Sequence, residues 1–485
     1  MKPHIVWISC DQLRADWLGI GGHPVVMTPH IDELAYEGVR FQAAMSECPT
    51  CVPARRIMMT GRNPYGVNMN KNRESQPFSE GPKLAELLAR AGYQTFAAGK
   101  LHTSPKRNRI GFEEVQLNEE GRVDHIGWKD DYERFLDDNG WSHVRYTHGL
   151  GNNQYGARID PLPERLTSTH WTAQKAMEFI ERRDPTRPFF LHLSFDKPHP
   201  PLTPPQSYYD LYRDAVMPEP VVGEWTESKL PSRVRFMRLR HNYEQWREHP
   251  LMVQQTLKGY AALITHIDSM IGVFLGTLRE HKLLDDTLIV FTSDHGDNLF
   301  DHGTFAKGDF FRGSASIPFI VRPPRPRGEA DRFARGKTDR ESPVALMDVM
   351  PTLLDACGIP IPESVSGTSL LPLLGREATG TFRPYTCGVC GTVYAVSDGA
   401  TKYIWYSEDD LEFLFDVRED PNDCRDLAGD SAYREALETQ RGRLLAWLEE
   451  HGDPHAAAGR LQPIAYDWRL DEAHATTSWN NRGRH

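Results

Sequence analysis

Three short apolar runs, "HIVWIS" (4–9), "FFLHLSF" (189–195) and "TLIVFTSD" (287–294), are rich in β-branched and aromatic residues and run straight into polar residues at their C-terminal ends. Runs of this length and apolarity suit strands buried on both faces, as in a parallel sheet. Helix-period segments lie between or before them: "GPKLAELLARAGY" (81–93), "TSTHWTAQKAMEFIERR" (167–183) and "MVQQTLKGYAALITHIDSMIGVFLGTLREH" (252–281). Strands alternating with amphipathic helices predict a wound α/β sheet, and in that architecture the strand C-termini line the ligand crevice. Asp11-Gln12, Asp196 to His199 and Asp294-His295 all follow such strands. These separate segments are therefore expected to converge on one edge.

After "SVSGTSLLPLLGRE" the texture changes to short alternating segments, "YAVSDGATKYIWY" and "LEFLFDV", joined by Asp/Gly turns and followed by a helical pattern near 432–451. This predicts a small antiparallel C-terminal subdomain, dividing the chain into 1–380 and 381–485. The final stretch keeps Tyr466, Trp468 and Trp479. Disordered tails are poor in aromatics, so docking on a neighbouring subunit, and hence a homo-oligomer, is expected.

Composition narrows the function classes. The chain carries 56 Lys and Arg against 67 Asp and Glu, a net charge of −11, without a basic block. The electrostatic footprint of a nucleic-acid binder is missing, and an anionic substrate needs locally concentrated cations. No uninterrupted apolar run approaches the ~20 residues of a membrane span. The first strand pattern begins at His4 or Ile5, which leaves no room for a secretory h-region, and seven cysteines are sparse for a disulfide framework. A cytoplasmic protein is expected.

Two of those cysteines open the most informative stretch, "CPTCVPARRIMMTGR" (48–62), and a second C-x-x-C, "CGVC", occurs at 387–390. The pairs are compatible with a redox couple, a zinc site built from both, or unrelated buried thiols. A further reading comes from Cys51-Val52-Pro53-Ala54-Arg55 followed by "MTG" at 59–61. C-x-P-x-R with a downstream T-G resembles the type I sulfatases, formylglycine-dependent members of the alkaline phosphatase superfamily. Cys48 does not start that motif, because Thr50 and Val52 stand where Pro and Arg are needed.

The resemblance extends along residues 4 to 320. It implies an alkaline-phosphatase-like mixed sheet flanked by helices, and a Cys51 oxidised to formylglycine by a separate maturation enzyme. It implies metal ligation by Asp11, Gln12, Asp294, His295 and the modified Cys51; this oxygen-rich shell suits Ca²⁺ first, then Mg²⁺ or Mn²⁺. The motifs "GKLH", "DKPHPPLTPP" and "HGTFAKGDFFRGS" supply Lys100, His102, Lys197, His199 and Lys307. By resemblance, Arg55, Lys100 and Lys307 bind the outer oxygens of a sulfuryl group. His102 takes a proton from the hydrated aldehyde, and His199 and Lys307 protonate the leaving oxygen. Lys197, and His125 with Trp128 in the insertion "VDHIGWKDDYERF", are candidates for contacting the substrate. The expected reaction is hydrolysis of a small anionic sulfate monoester. Phosphonate monoester or phosphodiester hydrolysis is the alternative within the superfamily, and a redox or zinc-binding protein using the C-x-x-C pairs is the alternative outside it.

Overall fold

The computed structural model describes residues 2–122, 127–325, 331–377 and 382–465. His125 and the tail aromatics Tyr466, Trp468 and Trp479 lie outside the described residues.

The body is built on an eight-stranded sheet in the order β4-β3-β5-β1-β6-β7-β2-β8. The three apolar runs form its middle: β1 (His4–Asp11) lies between β5 (Phe189–Pro198) and β6 (Thr287–Ser293), parallel to both. On one side β3 (Gln94–Gly99) and β4 (Glu114–Leu117) continue the parallel run. On the other, β7 (Phe319–Arg322) is antiparallel to β6 and to β2 (Val39–Phe41), with β8 (Lys337–Asp339) at the edge, so the sheet is mixed.

Alternation along β1 divides the core. Ile5 and Trp7 join one buried cluster, with α2 (Cys51–Thr60) and α3 (Leu84–Arg90), whereas Val6, Ile8 and Cys10 join the other. Period-two side-chain direction is the cause. The second cluster is roofed by α1 (Pro29–Tyr36) and by the helices Ser168–Arg182 and Pro250–Glu280. The last of these is long and apolar enough to cross a bilayer by length and composition, but 72% of its most apolar window is buried in the protein, as expected of a core helix.

The C-terminal strands β9 (Thr386–Cys390), β10 (Val393–Ser397), β11 (Thr401–Tyr406) and β12 (Leu411–Asp416) form an antiparallel sheet. One face, carrying Ala395, Ile404, Phe413 and Phe415, enters the first core beside Phe310 and Phe311. The other, carrying Tyr394, Val396, Tyr403 and Trp405, is covered by Leu437, Leu444 and Leu448 of the helix Arg434–Glu450.

The four thiols of the two C-x-x-C segments do not gather into one cluster, which corrects the zinc reading and the reading of either pair as a redox couple. Residues three apart on a strand point to opposite faces, so Cys390 meets Cys48 in the first core while Cys387 is buried under the terminal helix. Cys51 begins α2, with its sulfur against Asp11 and His295. All seven cysteines are free.

Gly99, at the end of β3, has φ +105 and a backbone so close to β5 that an added Cβ would lie 1.9 Å from the carbonyl oxygen of Ser194. The next residue, Lys100, donates its N–H to that same oxygen at 2.9 Å. Gly99→Ala therefore meets both a forbidden backbone region and a clash with main chain. It should lose ~3 kcal/mol of stability in denaturant unfolding, together with activity through displaced Lys100.

Candidate active site

Adjacent parallel strands create the site. Cys10 of β1 lies opposite Ser293 of β6, so the following residues, Asp11 and Asp294, emerge side by side at the sheet's C-terminal edge. Ser293 fastens the two strands: its hydroxyl shares its one proton between the carbonyls of Cys10 (3.0 Å) and His295 (2.8 Å) and accepts the N–H of Leu13 (2.9 Å). Gln12 turns through φ +68 and donates its backbone N–H to Asp294 Oδ1 at 3.1 Å.

Thr50 is extended, and Cys51 is the first residue of α2, so its side chain sits where unpaired helix N–H groups favour negative charge. Cys51 Sγ is 3.1 Å from His295 Nε2 and 3.6 Å from Asp11 Oδ1. Ligand atoms of Asp11, Cys51, Asp294 and His295 lie within 4.8 Å of one another, and all four residues are buried.

Arg55 follows Cys51 by four residues and therefore shares its helix face. Its guanidinium donates to Asp294 Oδ2 (2.9 Å), the Lys100 carbonyl (2.7 Å) and Ser194 Oγ (2.9 Å), and lies 3.5 Å from Asp11 Oδ2. It thus links β1, β3, β5 and β6 at the site. Lys100 Nζ contacts Asp11 and donates to Glu120 Oε2 at 2.8 Å, and Lys307 Nζ donates to Gln12 Oε1. His102 and His199 both lie beside Cys51. The Nδ1 of His199 is fixed by the Pro200 carbonyl at 2.6 Å. Lys197 is anchored on the carbonyls of His199 (3.1 Å) and Pro201 (3.0 Å), at the wall of a small adjoining cavity.

The charges are strongly coupled. Burial and the neighbouring Asp11 push the Asp294 carboxyl up. Burial opposes ionisation of Cys51, but Lys307, Lys100 and His295 outweigh it and hold the thiol well below its usual value. For His295, burial opposes protonation, and Asp294 and Cys51 prevail to raise its pKa. Two buried carboxylates this close need a cation between them. The donor set, carboxylate oxygens with one imidazole and the Gln12 carbonyl nearby, fits a hard divalent ion rather than a thiolate-seeking one.

Comparison with known proteins agrees with this geometry. The Sulfatase family profile matches residues 3–359, and a profile described as N-sulphoglucosamine sulphohydrolase, C-terminal, matches 300–450. An arylsulfatase of Clostridium perfringens is 34% identical over 95% of this chain and 97% of its own. The chain belongs to the sulfatase family. A choline-sulfatase of Rhizobium meliloti is 30% identical over 88% of this chain and 82% of its own. The fold is also that of the phosphonate monoester hydrolase of Agrobacterium radiobacter, with TM-score 0.75 at 23% identity over 93% and 96% of the two chains. The protein is accordingly a sulfuric ester hydrolase of the alkaline phosphatase superfamily.

Within this sulfatase, several site residues escape motif reading. Asp297 accepts from Gln12 Nε2 at 2.6 Å and from the Tyr155 hydroxyl at 2.7 Å, which fixes the Gln12 amide with its oxygen toward Lys307. Its place in "SDHGD" was a usable signal. Ser194, which donates to the Lys100 carbonyl at 2.6 Å, and Glu120, against Lys100, carry no local signal.

A divalent ion should bind with a stoichiometry of one and stabilise the fold by about 2.7 kcal/mol at a hundredfold excess over Kd. Metal analysis after dialysis and thermal unfolding with and without a chelator would check this. Asp11→Asn or Asp294→Asn should abolish the shift, and His295→Ala should weaken it less, because an imidazole contributes no formal charge.

Proposed function

We propose that this sulfatase hydrolyses a sulfate monoester with a formylglycine nucleophile made from Cys51. The observation that carries the reading is the position of Cys51: first residue of α2, against Asp11 and His295, with Lys100 and Lys307 lowering its pKa. Once oxidised by a maturation enzyme, residue 51 supplies a hydrated aldehyde, with one hydroxyl to attack sulfur and a second whose collapse to the aldehyde expels sulfate. Asp11, Gln12, Asp294 and His295 would hold a divalent ion, calcium before magnesium or manganese, which would supply positive charge to favour ionisation of a neighbouring hydroxyl at neutral pH.

The remaining work falls to this chain's own residues. Lys100 and Lys307 offer ammonium groups to the outer oxygens of the sulfuryl group, where charge concentrates as the ester bond breaks. Arg55 holds Asp294 and the Lys100 backbone in place, a positioning role, and balances charge beside the anion. His102 is suited to take the proton of the second hydroxyl. His199, on the side of the cavity lined by Lys197, Asp196 and Glu120, is suited to protonate the leaving oxygen, with Lys307 as a second donor. Burial and Lys307 lower the His199 pKa, while Glu120 and Asp11 pull the other way. The arylsulfatase and choline-sulfatase relatives support an aryl or small alkyl sulfate as substrate. A phosphonate monoester is the second reading, favoured by Gln12, which leaves the metal shell one carboxylate poorer than a pair of acids would.

In active protein the peptide containing Cys51 should be lighter than encoded and should form a hydrazone; unmodified cysteine in fully active enzyme would reject the nucleophile. Cys51→Ala should abolish turnover. Cys48→Ala should largely keep it, with a modest stability loss from its place in the core.

His199→Ala should slow esters of poor leaving groups, such as sugar alcohols, by about 10²-fold or more, and nitrophenyl esters much less, because nitrophenolate leaves without a proton. An equal fall across a leaving-group series would assign His199 to binding instead.

A further inference from the structure

We propose that Glu120 selects the charge of the ester: its fixed carboxylate admits singly charged esters and holds back doubly charged phosphate monoesters. This rests on the sulfuryl-transfer reading above and adds a specificity determinant to it.

An anion pocket has no evident use for a buried carboxylate, yet Glu120 is packed into this one. Its backbone is left-handed, with φ +55, and its side chain is 6% exposed. Oε2 accepts from Lys100 Nζ at 2.8 Å and is paired with Arg122. Oε1 lies 3.6 Å from His199 Nδ1 and accepts no hydrogen bond among the described residues. Burial opposes its ionisation, but Lys100, His199 and Arg122 together hold it charged. Behind it, Arg122 Nε reaches Glu74 Oε1 at 3.4 Å, and His102 Nε2 is 3.7 Å from the same oxygen. A chain of alternating charge thus runs from Asp11 through Lys100, Glu120 and Arg122 to Glu74, which lies against His102.

Holding Lys100 in place does not account for all of this. The Lys100 ammonium already contacts Asp11, and its backbone is tied by Arg55, Ser194 and the Ser194 carbonyl. Glu120 adds negative charge next to one of the two ammonium groups offered to the ester, and it lines the adjoining cavity. The attraction for any anion falls, and each further negative charge on the ligand adds the same repulsion again. In a site of low dielectric that increment is large enough to separate one charge from two. Sulfate and phosphonate monoesters bring one charge each, and a phosphate monoester brings two above its second ionisation, near pH 6.

The test uses the sulfate, phenylphosphonate and phosphate esters of one nitrophenol with the metal-loaded, matured enzyme. Glu120→Gln should raise the phosphate-to-sulfate ratio of kcat/KM by about tenfold or more, and Glu120→Asp, which keeps the charge, should leave the ratio near that of the wild type. Enzyme titrations cancel in a ratio of two substrates. In the wild type, the phosphate-to-phosphonate ratio should therefore climb from pH 8 to pH 5 as the phosphate ester gains its proton, and in Glu120→Gln this climb should flatten. A Glu120→Gln ratio equal to that of the wild type, a wild-type ratio that does not change with pH, or a uniform fall on all three esters would overturn the inference. If the wild type cleaves the phosphonate faster than the sulfate, the sulfate-ester reading fails while the charge test still stands.

Discussion

Everything at this site depends on placing two carboxylates, Asp11 and Asp294, in the protein interior on neighbouring strands. The sheet does this cheaply in chain terms, because parallel β1 and β6 deliver them in register. Electrostatically it is expensive. Breaking a buried ion pair by removing one partner typically costs 3–5 kcal/mol, since the other charge is left uncompensated. Arg55 answers with a rigid fork that reaches both carboxylates and two further strand ends. A lysine could reach one of these partners but not all of them, because an ammonium is a point charge on a flexible stem.

That arrangement explains the next ring of residues. Arg55 is committed to the scaffold, and two further cations, Lys100 and Lys307, lie on the segments that follow β3 and β6. Each is restrained by a polar partner of its own, Glu120 for one and Gln12 for the other. Gln12 is held in turn by Asp297 and Tyr155. The site is therefore a set of nested hydrogen bonds in which groups near the ester are oriented by groups further back, and preorganisation of this kind is the main source of electrostatic stabilisation in transfer reactions.

Much of this is legible in the sequence because the signals are local. Apolar runs ending in polar residues identify β1, β5 and β6, and the acids and histidines after them need only chain order to be placed. Asp/Gly-punctuated alternation identifies the C-terminal sheet. What stays hidden depends on pairing across distance. Glu120 gains its meaning from Lys100 and His199, neither of which lies next to it in the sequence. Ser194 sits inside an apolar strand, where a serine is ordinarily silent. The apparent kinship of the two C-x-x-C pairs misleads for the same reason: what each thiol of β9 meets depends on which distant segments pack on the two faces of that strand.

The C-terminal sheet has more to do with the nucleophile than its distance along the chain suggests. Val389 of β9 donates its N–H to the Glu47 carbonyl at 2.8 Å, Gly391 donates to Asn70 at 2.7 Å, and Cys390 meets Cys48. An added Cβ at Gly388 would lie 2.7 Å from the Glu47 oxygen, so main chain is pressed against main chain there. The Glu47 carboxylate meanwhile accepts the N–H groups of Leu346 (3.0 Å) and Met347 (2.9 Å). The loop that presents Cys51 is thus clamped by segments synthesised some 300 residues later, as the sequence separations of these contacts show. Cys51 itself is 1% exposed in the finished fold. The orientation of Cys51 at the head of α2 is therefore secured by contacts that close only when distant parts of the chain come together.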